Sequence, residues 1–135
     1  EWSEETARTR QAVFKGRDER IVLADCPGKI TDELDLVAEP AHKMLILAAE
    51  ERKEKIDEWQ AWADRMGIEV RWILRSVLDE DIEAGWRELN EIPRRGVIRS
   101  VNRNAYDGRH LAAYDDTSIR MLRDIADEIM NLAIE

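Results

Sequence analysis

The most restrictive pattern in the chain lies between Pro40 and Gly67. Leu45, Ala49, Arg52, Ile56, Trp59, Ala63 and Met66 recur at alternating intervals of four and three, the spacing of a seam along one helix face. Only Arg52 interrupts it. Pro40 suits a first helical turn, where its missing N–H costs nothing. Gly67 supplies a stop, with Ile68 positioned to fold back on the last turn. Read as continuous, Pro40–Met66 is a helix about 40 Å long at a rise of about 1.5 Å per residue. The expectation is therefore a mostly α protein, a single compact helical domain around a long central helix. The same letters admit a rival α/β reading with a short βαβ unit: a strand over Lys43–Ala49, a helix over Glu50–Met66 and a strand over Glu69–Leu74. Short apolar runs do not declare their period, so both readings stand.

The flanking segments are read against the helical frame. Ser3 is a good N-cap, Glu4 and Glu5 suit the positive end of a helix dipole, and Gly16 is a stop. Ile68–Val77 reads as a second, shorter helix. Asp79 caps a third, which carries Ile82, Trp86 and Leu89 on one face and ends at Pro93. Gly96–Asn102 and Arg109–Tyr114 flank an Asp107-Gly108 turn and suggest a small β-hairpin. Asp116 or Thr117 caps a final helix whose core stripe is Ile119, Leu122, Ala126, Ile129 and Ala133.

Charge is distributed unevenly over the 135 residues, which carry a net charge of -9. Arginines outnumber lysines 16 to 5. The window from Pro93 to His110 holds five arginines and one acid, so it carries +4 against -13 for the rest. An acidic surface repels nucleic-acid backbones, so a generic nucleic-acid coat is disfavoured. No apolar run reaches transmembrane length and no signal-peptide pattern opens the chain, so no membrane partner is expected. The lone cysteine, Cys26, permits no internal disulfide, favours a reducing compartment and fits a cytoplasmic location.

Arg94, Arg95, Arg99, Arg103 and Arg109, with Tyr106 and His110, form the first candidate site. Guanidinium groups match phosphate or carboxylate oxygens two at a time, and a nearby aromatic ring can stack a base. On a hairpin, alternation sets Arg99 and Val101 on one face and Ile98 and Ser100 on the other. The bland alternative pairs these arginines with acids of the same molecule. A second candidate spans residues 62–77, where Ala63, Gly67, Ile68 and Ile73 resemble the spacing of helix-turn-helix repressors. That resemblance implies DNA-facing positions at Arg71 and Arg75. Glu39-x-x-His42 and Asp107-x-x-His110 have a metal-ligand spacing, but Pro40 and Gly108 keep both out of a helix interior, and no metal or cofactor is expected. Cys26 has no sequence-local histidine to activate it. Trp59, Trp62, Trp72 and Trp86 read mainly as core, with one of them a possible interface anchor.

With no catalytic signature, the sequence reads first as a non-catalytic regulatory or protein-interaction protein. It would act through helical faces and an Arg-rich surface, with a protein partner and a possible homodimer. Two alternatives differ in class. One is DNA or nucleotide binding. The other is a small enzyme on an anionic substrate, with Arg99 and Arg103 as a clamp and His110, tuned by Asp107 or Asp115, as acid or base.

Overall fold

The computed structural model describes residues 3–16, 21–24, 28–49, 52, 54–78, 81–88, 90–100 and 114–134. The elements are α1 (Glu4–Lys15), α2 (Asp32–Ala38), β1 (Lys43–Ala49), α3 (Lys55–Met66), β2 (Glu69–Val77), β3 (Gly85–Glu88), β4 (Arg94–Arg99) and α4 (Asp116–Ile134). The four strands form one mixed sheet in the order β1-β2-β4-β3. β1, β2 and β4 run parallel, and β3 lies antiparallel at the far edge. This is an α/β fold, which overturns the mostly α expectation.

The long central helix does not exist, because the segment divides into β1 and α3. Its apparent seam had to cross Glu50-Glu51-Arg52-Lys53-Glu54, five consecutive charges that leave no apolar face to bury. β1 is an edge strand that buries Ile46 and Ala48 on one face and carries the apolar Leu45 and Leu47, partly exposed, on the other, so Met44–Ala49 shows no polar alternation and resembled buried helix. Ile46 and Ala48 pack with Ile56 of α3 and Ile73 of β2, while Leu45 and Leu47 point to the opposite face. The expected second helix is β2, where Val70, Ile73 and Val77 are β-branched and Trp72 is aromatic, residues that suit a pleated surface. The expected third helix is replaced by β3, whose Trp86 lies beside Gly96 of β4. The βαβ alternative describes the observed β1-α3-β2 unit.

Several terminal signals were read correctly. Ser3 Oγ accepts from the Thr6 backbone N–H at 3.1 Å, and α1 ends before Gly16. Gly67 has φ 72°, and the Ile68 N–H donates to the Ala63 carbonyl at 2.9 Å, which closes α3. The cap of α4 falls one residue earlier than expected. Asp115 Oδ1 accepts from the Ser118 N–H at 2.8 Å.

Two helical layers sandwich the sheet. α3 covers β1 and β2 on one face. α4 covers the other face, where Trp72, Leu74 and Ile98 pack on Met121 and Ile125. Gly96 permits this approach, since a Cβ there would lie 2.5 Å from Met121 Cε and 2.9 Å from Trp86 Cε3. α2 packs against Trp62, Ala63 and Ile68, near the amino ends of β1 and β2, and α1 packs on α2. The carboxyl ends of the parallel strands therefore lie away from the α1–α2 pair.

Candidate functional site

Strand alternation divides the arginines of β4 between the two faces of the sheet. Arg94 is a register partner of Trp72 and faces α4. Its Nη1 donates to Glu128 Oε1, and its guanidinium carbon lies 4.0 Å from the centroid of the Trp86 ring. Glu128 also accepts from the Trp72 indole. Arg94 is thus committed inside the fold, with its Nε buried and unpartnered, and is not available as a surface ligand-binding group.

Arg95 and Arg99 face the α3 side, in register with Ile73 and Val77. Arg75 of β2 lies on that same face opposite Val97, so it is the diagonal neighbour of both. Strand spacing and rise set such diagonals about 8 Å apart at Cβ, within the convergence range of long guanidinium side chains. All three are half-buried and engaged, while Val97 between them is fully buried.

Asp115 is the identified carboxylate partner in this group. Its Oδ2 accepts from Arg99 Nε at 3.0 Å, beside its role as the α4 cap. Burial alone would raise the Asp115 carboxyl, but the hydrogen bonds from Ser118 and Arg99 outweigh it and hold the group below the usual carboxylate range. The hydroxyl of Ser118, wholly buried, accepts from the Arg99 backbone N–H at 2.7 Å and ties α4 to the end of β4.

β1 leads to α3 and β4 leads to α4, which lie on opposite faces of the sheet, with β2 between the two strands. Arg99 closes β4 at its carboxyl end. Ser100 then forms an antiparallel bridge with Tyr114, which sets the two positions flanking residues 101–113 side by side. Arg103, Tyr106, Asp107, Arg109 and His110 lie outside the described residues, as does the turn of the expected hairpin. Cys26 lies outside them as well.

The helix-turn-helix reading is overturned, because residues 69–77 form β2 rather than a recognition helix. Arg71 sits where the β1–β2 register shifts and pairs with Glu69 at 3.0 Å. Arg75 belongs instead to the cluster just described. Among the described residues no group of histidine, cysteine and carboxylate side chains is arranged to hold a metal. No described helix is long and apolar enough to cross a membrane. Trp62 and Trp72 are buried, and Trp59 and Trp86 pack at the margins of the core.

Sequence reasoning located Arg95 and Arg99 but missed their association with Arg75. That neighbour becomes visible only once β2 and β4 are recognised as parallel partners. It also missed the Trp86–Arg120–Arg123 surface, where the three residues are separated in sequence and joined by α4 packing against β3.

The fold and site define an α/β protein with an arginine cluster at the carboxyl half of its central parallel strands. No family model matches the chain, and no curated protein or solved structure matches it either.

Proposed function

We propose that this protein binds a small phosphate- or carboxylate-bearing molecule at the carboxyl edge of its parallel strands, near the ends of β2 and β4. The observation that carries this reading is the position of Arg75, Arg95 and Arg99 on one face. Three half-buried guanidinium groups on one face supply charged donors where screening is weaker than on the surface. The guanidinium forks favour the paired oxygens of a phosphate or carboxylate. Arg103, Arg109 and His110 lie in the sequence between Ser100 and Tyr114, and His110 with Asp107 supplies a candidate acid or base if the ligand is a substrate. A small ligand fits better than a nucleic acid, since the chain outside residues 93–110 carries -13.

Calorimetric titration with pyrophosphate at 50 mM salt tests the reading. The expected result is a Kd below about 1 mM, with binding at least about tenfold weaker in both Arg75→Gln and Arg95→Gln while circular dichroism stays unchanged. Absence of heat at millimolar pyrophosphate, or equal affinity in folded variants, refutes it.

A second reading, self-association, is favoured by one separate observation. Leu45 and Leu47 are 40% and 56% exposed, although their register partners Trp72 and Leu74 are buried under α4. Beside them the Ile119, Leu122, Ala126, Ile129, Ala133 stripe is half-buried or exposed, and its 3-4 spacing with alanines at two positions suits pairing with a second copy of itself.

A further inference from the structure

A cavity of about 400 Å³ opens between β3 and α4, on the sheet face opposite the Arg75–Arg95–Arg99 cluster. Gly85, Trp86 and Met121 form its apolar part, and Arg120, Arg123 and Asp124 supply its charged rim. The floor is preorganised. Trp86 Nε1 donates to Asp124 Oδ2 at 3.1 Å, and the Arg94 guanidinium lies 4.0 Å from the ring centroid. Trp86 and Met121 both seat on the bare Cα of Gly96, where even a methyl group would collide with them.

The rim arginines differ from five others among the described residues. Arg8, Arg65, Arg71, Arg94 and Arg99 each pair with a carboxylate. Arg120 meets only the Thr117 hydroxyl, at 3.4 Å, and Arg123 makes no hydrogen bond or ion pair among the described residues. In a protein of net charge -9, carboxylates are plentiful, so two guanidinium groups without one beside a cavity stand out.

We propose that this cavity is a second binding site, for a flat aromatic molecule bearing one carboxylate. The indole and Met121 take the ring, and Arg120 and Arg123 take the carboxylate. Two cations against the Asp124 carboxylate leave one net positive charge, which matches a monoanion better than a phosphate dianion. Because both arginines are exposed, the ion pairs contribute modestly and the apolar contact carries most of the affinity, so the charge acts chiefly in selection. A volume of this order is in the range of small-molecule pockets.

The test is titration of the whole protein with 2-naphthoate, followed by the Trp86 indole N–H resonance and by calorimetry. The resonance is assigned with Trp86→Phe. A Kd of about 1 mM or tighter is expected for a ligand of this size. The neutral 2-naphthamide should bind about fivefold more weakly, and Arg120→Gln with Arg123→Gln should remove that preference. 2-Naphthyl phosphate should gain no advantage over the carboxylate. Equal binding of acid and amide, an unmoved Trp86 resonance at saturating ligand, or a preference that survives the double substitution overturns the proposal. Arg75→Gln should leave naphthoate binding unchanged, so this site and the carboxyl-edge site fail independently.

Discussion

Replacing Glu128 by Gln tests whether Arg94 is structural. The Glu128 carboxylate accepts from both Arg94 and the Trp72 indole, and the Arg94 and Glu128 side chains are only 19% and 25% exposed. Gln keeps the shape but removes the charge and turns one acceptor into a donor that faces donors. An exposed ion pair contributes about 0–1 kcal/mol, whereas breaking a buried one from one side costs about 3–5 kcal/mol. With roughly a fifth of each side chain in water, the expected loss falls between the two ranges and toward the second, about 2–3 kcal/mol. Urea unfolding followed by tryptophan fluorescence reads it directly. At a slope of about 1.5 kcal/mol/M the midpoint should fall by about 1.3–2 M. The Arg94→Met, Glu128→Leu double variant should recover most of the loss, because it leaves neither charge stranded. A change under about 0.5 kcal/mol, within the range of an ordinary surface substitution, would refute the assignment of Arg94 to the interior.

Two further predictions concern the α4 cap and the uncovered sheet face. Asp115 is held below the usual carboxylate range, so its stabilising contribution is present above the unfolded value and is lost as pH falls through the folded one. Asp115→Asn should therefore cost about 1 kcal/mol at pH 7, and thermal melts of wild type and variant should converge as the pH drops below about 4. A gap of constant size at every pH would exclude an ionic role. For the self-association reading, the wild-type sedimentation coefficient should rise with concentration and that of Leu47→Lys should not. A concentration-independent monomer in both removes that reading.

The parts of the fold legible from sequence were those signalled by single residues with one physical meaning. Ser3 marked the start of α1, and Gly67 with Ile68 marked the end of α3. Polar spacing misled where strands are buried on both faces. In β2, Glu69, Arg71 and Arg75 mimic the exposed side of a helix, although Glu69 and Arg71 pair with each other at the sheet margin and Arg75 belongs to the cluster. In α4 the periodicity was correct but the face was not. Ser118, Met121 and Ile125 are buried, while the expected stripe lies along the flank. A buried serine at the centre of a helix face has no hydropathy signal, and its reason is the Arg99 N–H that it accepts from. Alternation did separate Arg99 from Ile98 in advance. The grouping of Arg99 with Arg75 depends on a parallel register between strands about twenty residues apart, which no local pattern encodes.

The most direct measurement of the central claim is a pyrophosphate titration followed by backbone amide and arginine Nε resonances across the whole protein. The account predicts saturable shifts concentrated at Arg75, Arg95, Val97 and Arg99, with smaller ones at Asp115 and Ser118 and none around Trp86. Shifts confined to the α4 face, or none at 10 mM pyrophosphate, would contradict it.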